Sequence, residues 1–255
     1  MNRTDKHSSS KRKGISLILA LVALVALVGG FVLFNPFGKH TSSDKKDTSS
    51  SSSASSKEVK EVKYEPSQEE KEYLANRFAQ LTAVNPEAIA YVYAPGTQLD
   101  EPVVQTGDNA TYLDKTFEGG NQPLMGTVFM DTDNKKDFSD RLTWLFGHAR
   151  GSQVEDHRMF NDVNFYDNQE YFNQHPYVVI ETPERKYYYE AMGLVIVPET
   201  TAFYRTSFTD DKDFTTQLKN IYESARTKNP NIKIKASDKY LVLSTCREED
   251  DTIRS

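Results

Sequence analysis

Apolar residues run from 15 to 34 with no polar interruption other than Ser16 and two glycines. At about 1.5 Å per residue, a helix of this length crosses the roughly 30 Å hydrocarbon core of a bilayer, so the pattern predicts one transmembrane helix over 15–34. From 41 to 57 the chain is serine-rich, with scattered Lys and Asp. Such a composition buries too little apolar surface to offset chain entropy, and 35–63 is expected to be a flexible tether. Beyond it, short periodic apolar runs return, and 64–255 is expected to form one globular domain.

Within that domain most of the runs are short and several are β-branched or aromatic, as strands are. Residues 88–94 form a short apolar and aromatic run closed by Pro95-Gly96. Residues 101–105 form another, entered through Pro102, which cannot donate to a ladder and belongs at a strand start or edge. Further strands are predicted over 126–131, 143–146, 177–182, 187–197 and 239–245. Two segments follow the helical period instead. Ser67 with Glu70 three residues later makes a capping-box start, after which Leu74, Phe78 and Leu81 share a face. Phe214, Leu218 and Ile221 recur at helical spacing over 211–226, between the last two strands. The fold class is therefore mainly β, an antiparallel barrel or sandwich decorated with helices.

Charge orients the chain. Arg3, Lys6, Lys11, Arg12 and Lys13 precede the apolar run, and Asn35-Pro36-Phe37-Gly38 follows it. The positive-inside bias then leaves 1–14 as a cytoplasmic tail and exports everything after Phe34 from a single-pass anchor in the cell membrane. A cleaved signal peptide is the alternative; its apolar core is ordinarily shorter and a small-x-small site follows it promptly. The net charge of -6 combines a basic N-terminal tail with a more acidic remainder, which gives no electrostatic footprint for nucleic acid. No internal repeat is present.

The chemistry centres on Cys246, the one cysteine of the chain, which ends the run 240–246. A lone exported thiol cannot be an intramolecular disulfide, and as a nucleophile it needs a base or cation to raise its thiolate fraction. Of the five histidines, His7 is cytoplasmic, His40 borders the tether, His157 lies in a polar stretch and His175 precedes Pro176 as a turn residue. His148 follows the apolar strand 144–146 through Gly147, and is the preferred base. Arg254 lies across the polar turn 247–252, where a hairpin would return it beside the thiol to stabilise an oxyanion; Arg247, adjacent to Cys246 in an extended chain, points to the opposite face. There is no metal-ligand spacing, no phosphate-cradling glycine loop and no Gly-x-Ser-x-Gly elbow, so neither metal nor cofactor is implied. The bland reading is an inert buried cysteine and a structural histidine.

Leu243-Ser244-Thr245-Cys246, with Phe146-Gly147-His148 upstream and Arg254 downstream, resembles the catalytic signature of sortases, the membrane-anchored cysteine transpeptidases of Gram-positive bacteria. The segments 85–92, 95–97, 102–105, 108–113, 126–131 and 175–177 look like the corresponding segments of class B members, and the insert after 204–208 is similar to their long helical excursion. The resemblance implies an eight-stranded sortase-type barrel with an N-terminal helix and a helical insert between the sixth and seventh strands. It implies that Cys246 attacks a sorting-signal threonine carbonyl to form a thioester, that His148 is the general acid/base, and that Arg254 holds substrate and oxyanion. By the same resemblance Asn109, Leu113, Ser244 and Thr245 line the substrate groove. In the family the arginine lies in a terminal strand that continues, whereas the sequence here ends one residue after Arg254, so either the chain is shortened or the last strand is stunted.

The partners so implied are secreted surface proteins or pilins bearing a sorting signal. The acceptor amine belongs to a peptidoglycan cross-bridge, its lipid II precursor, or a pilin lysine. Attachment of surface proteins to the cell wall is the first reading and pilin polymerisation the second, the latter kept open by the acidic residues of 248–251, which would attract a lysine-bearing acceptor. A hydrolysing cysteine protease, and a non-catalytic membrane-tethered scaffold or adhesion module, are the remaining alternatives.

Overall fold

Ser67 Oγ accepts a hydrogen bond from the Glu70 amide at 3.1 Å, and this cap opens the first helix, α1 (Gln68–Val84), whose Leu74 and Phe78 are buried. The Glu70 carboxylate does not return to the cap amide; it accepts from the Tyr64 hydroxyl. The computed structural model describes residues 21–29, 64–123, 125–149, 157–198 and 202–247.

The strands in chain order are β1 (Leu21–Gly29), β2 (Ala88–Tyr93), β3 (Asp100–Val104), β4 (Val128–Met130), β5 (Leu142–Phe146), β6 (Tyr177–Glu181), β7 (Lys186–Pro198), β8 (Thr227–Lys228) and β9 (Lys239–Arg247). The helices α2 (Thr111–Asp114), α3 (Gln169–Gln174) and α4 (Asp211–Glu223), and a 3-10 helix over Asn161–Asp167, fill the connections. The sheet order is β1-β9-β5-β4-β3-β2-β6-β7-β8, and a further β1–β7 pairing closes the ring. With the two-residue β8 set aside as an appendage, eight strands make the barrel. The expected mainly-β barrel, with α1 ahead of it and α4 inserted before the last strand, is what forms.

Its eighth member differs from the expectation. Residues 21–29, predicted as part of a membrane-crossing helix, are extended, paired along one edge with β9 and along the other with β7. Among the described residues no helix is long and apolar enough to cross a membrane; 15–20 and 30–34 lie outside them. The physical reason is that the same apolar run satisfies its backbone in either form, and Val22, Val25 and Val28 suit the pleated one. Between β7 and β9 a single strand meets unpaired backbone on both sides.

The period-two pattern places the core. In β2, Ala88, Ala90 and Val92 are buried and alternate with half-exposed residues. Val92, Val103, Val128, Leu145, Ile180, Leu241 and Leu243 fill the barrel interior. A second cluster lies on the opposite face, where Leu142, Trp144, Tyr240 and Val242 pack beneath Phe214, Leu218 and Ile221 of α4. Because β5 and β9 are covered on both faces, their sequences read as continuous apolar runs without alternation.

Candidate active site

β5 and β9 are parallel neighbours, in the register Leu142↔Tyr240 through Phe146↔Ser244. The ladder continues past the end of β5, since the Gly147 amide donates to the Ser244 carbonyl at 3.1 Å. His148 lies two residues beyond Phe146, and Cys246 two beyond Ser244. The two thus leave neighbouring strands at matching positions, with the strands about 4.8 Å apart. By alternation both positions continue the face of Trp144 and Val242, the face covered by the α4 insert.

Local packing explains why His148 is held there. At Gly147 a Cβ would come within 2.9 Å of the buried Phe160 ring and 3.1 Å of Val128, so only glycine lets the chain pass at this point. The Phe160 amide donates to the His148 carbonyl at 2.9 Å. On the ring, Nε2 lies 2.8 Å from the Leu113 carbonyl. A carbonyl only accepts, so Nε2 carries the proton and donates, leaving Nδ1 for proton exchange. Leu113 belongs to α2, whose carbonyls at 112 and 113 are closely packed by Gly126 at φ +58. A Cβ on Gly126 would meet them at 2.3 and 2.5 Å.

Leu113 has 43% of its surface exposed and lies beside His148. Asn109 is exposed; its Oδ1 accepts from the Thr132 amide at 3.0 Å and its Nδ2 donates to Asp131 Oδ2 at 3.1 Å. Ser244 shares the face of position 246. Thr245 does not: it alternates inward with Leu241 and Leu243 and is buried, its hydroxyl lacking a hydrogen-bond partner. That separates it from the groove-lining set with which it was grouped, because successive residues of a strand point to opposite faces. Arg254 lies outside the described residues. The two histidines set aside are tied elsewhere, His157 to Asp162 at 2.8 Å and His175 against the Tyr171 ring at 4.3 Å.

Two residues that sequence reasoning missed border the same surface. Tyr204, at the start of the insert, packs edge-on against Trp144 at 5.1 Å and lies 6.1 Å from Phe146. Its hydroxyl donates to Asp131. Partial burial, and then the adjacent carboxylate, push its phenol well above the ordinary tyrosine range. Asp131 itself is fully buried. A carboxylate ending an apolar strand must find partners once buried, and that was the available signal. Among the described residues no three His, Cys, Asp or Glu side chains are grouped to hold a metal ion.

No protein-family model matches the chain. Sortase B of Listeria monocytogenes serovar 1/2a is 27% identical over 173 residues, which is 67% of this chain and 67% of the relative. Sortase B of Staphylococcus aureus is 25% identical over 180 residues, 71% of each. A crystal structure of sortase B complexed with triglycine superposes with a TM-score of 0.62 at 26% identity, over 68% of this chain and 78% of that one. A barrel whose adjacent parallel strands lead to a histidine and a cysteine has the sortase fold, and the sortases are a family of cysteine transpeptidases. Both relatives, with the helical insert α4 beside them, support a class B sortase.

Proposed function

We propose that the protein cleaves a C-terminal sorting signal through a thioester on Cys246 and transfers the acyl group to an amine, attaching surface proteins to the cell wall. The observation that supports this is the β5–β9 register, Leu142↔Tyr240 through Phe146↔Ser244, whose continuation would bring positions 148 and 246 side by side, together with the bond from His148 Nε2 to Leu113 O. In the first half-reaction the Cys246 sulfur bonds to the threonine carbonyl carbon and the C–N bond breaks. The Cys246 thiol proton passes to Nδ1 of His148 and from there to the departing amine. In the second, the acceptor nitrogen attacks the thioester, Nδ1 of His148 takes a proton from it, and that proton returns to the Cys246 sulfur as the sulfur leaves. Arg254 is assigned to the oxyanion, and Asn109, Leu113 and Ser244 to the peptide groove. The triglycine complex of a related sortase B supports a peptide amine as acceptor.

The segment 15–34 is proposed as the anchor that holds the enzyme at the membrane with its barrel outside. That form and the β1 strand are mutually exclusive uses of residues 21–29. Protease protection of 15–34 in membrane vesicles distinguishes them.

The test is trapping. Residues 64–255 and the full chain are incubated with sorting-signal peptides, and the mass of Cys246-containing fragments is followed. A covalent adduct is expected on the native chain, reduced at least about a hundredfold in His148→Ala and Arg254→Ala, and absent in Cys246→Ala. Release by triglycine supports wall anchoring, release by a lysine peptide supports pilin joining, and release by water alone makes the protein a protease. No adduct with a thiol that a small alkylating reagent fails to reach refutes the enzymatic reading.

A further inference from the structure

Asp131 stands one residue beyond β4 with its backbone fixed on both sides. Its amide donates to the Trp144 carbonyl at 3.0 Å, and its carbonyl accepts from Gln105 Nε2 at 2.7 Å. The side chain is committed as well: Oδ1 accepts from the Asp133 amide at 2.8 Å. The remaining oxygen, Oδ2, accepts from two donors that come from distant parts of the chain. One is Asn109 Nδ2 at 3.1 Å, on the loop ahead of α2; the other is the Tyr204 hydroxyl at the start of the insert, 73 residues further along the sequence.

Neither arm belongs to the barrel, and each borders the surface on which His148 sits. Asn109 leads into α2, which carries the carbonyl that orients His148. Tyr204 rests on Trp144 and Phe146, the face that continues to His148. The phenol is anchored, yet 46% of Tyr204 remains open to solvent, so one side of the ring is free to meet a ligand. We infer that Asp131 is a positioning residue: through a single carboxylate oxygen it fixes the separation of Tyr204 and Asn109, the two walls between which an extended peptide reaches Cys246. This rests on the transpeptidase reading and adds to it the group that sets the width of the peptide channel.

The chemistry makes the role testable. An asparagine at 131 retains one accepting oxygen and replaces the other with a donor, so it cannot serve the Asp133 amide and both arms together. In Asp131→Asn and in Tyr204→Phe the insert detaches from the α2 loop while the Leu113–His148 contact stays. Each change is expected to raise the KM for a sorting peptide about tenfold, as loss of a charge-assisted hydrogen bond does, with kcat within about twofold of the native value. The double variant should be no worse than Asp131→Asn alone, since both remove the same link. Alkylation of Cys246 by iodoacetamide should proceed at the native rate.

Multiplying effects in the double variant, a fall in kcat at unchanged KM, or no kinetic change in either single variant would overturn the inference. A second readout keeps it independent of activity. Amide hydrogen exchange over 202–210 should accelerate in both single variants, and native exchange in both overturns the link whether or not any peptide is turned over. If the native chain forms no thioester with any sorting peptide, it is the transpeptidase reading that fails, and the exchange result alone decides the positioning role.

Discussion

Replacing Gly126 by alanine probes the contact that orients the imidazole, and Gly119 supplies its control. Both glycines have positive φ, +58 and +90, so alanine costs each about 1–2 kcal/mol of backbone strain. They differ in what a Cβ meets. At Gly119 nothing lies within 4 Å, whereas at Gly126 the Tyr112 and Leu113 carbonyl oxygens lie at 2.3 and 2.5 Å. Ordinary contact begins at 3.4 Å, so α2 must retreat by about 1 Å. A shift of that size stretches the 2.8 Å bond from His148 Nε2 to Leu113 O beyond hydrogen-bonding range. Gly119→Ala is therefore expected to lose about 1–2 kcal/mol of stability and to react normally, and Gly126→Ala to lose about 3–5 kcal/mol. The pre-steady-state rate of thioester formation in Gly126→Ala should also fall at least about tenfold, by loss of imidazole orientation. Urea denaturation and rapid-quench acylation measure the two effects. Equal stability losses in the two variants, or a destabilised Gly126→Ala that acylates at the native rate, would refute the argument that the glycine protects the Leu113 carbonyl.

Burial pushes the phenol of Tyr240 up to about 12, from a value of 10 in the unfolded chain. Its neutral form is the one the fold favours, so its contribution is complete below pH 10 and is lost as pH rises towards 12. The loss amounts to about 3 kcal/mol, and the stability gap between native and Tyr240→Phe proteins should shrink by that much across this window in alkaline denaturation. Phe214 is fully buried, edge-on to Tyr240 at 5.6 Å and to Phe208 at 4.9 Å. Phe214→Ala should cost about 3–5 kcal/mol in urea unfolding and loosen the insert, with a native-like far-ultraviolet spectrum.

Much of the barrel was legible because strands declare themselves as short apolar, β-branched and aromatic runs bounded by turn residues. The apolar and aromatic run 88–94 became β2, and the Ser67 cap and the Phe214-Leu218-Ile221 stripe each became a helix where expected. What escaped had no period to show. α2 is a four-residue turn, too short for amphipathicity, and the segment 161–174 interrupts its apolar positions with turn geometry. The apolar run 15–34 was ambiguous in kind, because length and hydropathy measure how much surface must be buried and not which backbone form buries it. Thr245 was grouped with Ser244 by the family resemblance, although alternation along the strand already set them on opposite faces.

The sequence by itself determined that a strand would end at Cys246 and another before His148, that glycine would separate that second strand from its histidine, and that a helix would be inserted between the last two strands. Those features follow from neighbours within a few residues, where propensity and periodicity act. Only the tertiary structure decided that the two strands are adjacent, parallel and in matching register, that Leu113 O faces the imidazole, and that one buried carboxylate joins Asn109 to Tyr204. Those relations join residues 35 to 98 positions apart, and they are set by closure of the sheet and by the need to pair a buried charge, neither of which leaves a local mark along the chain.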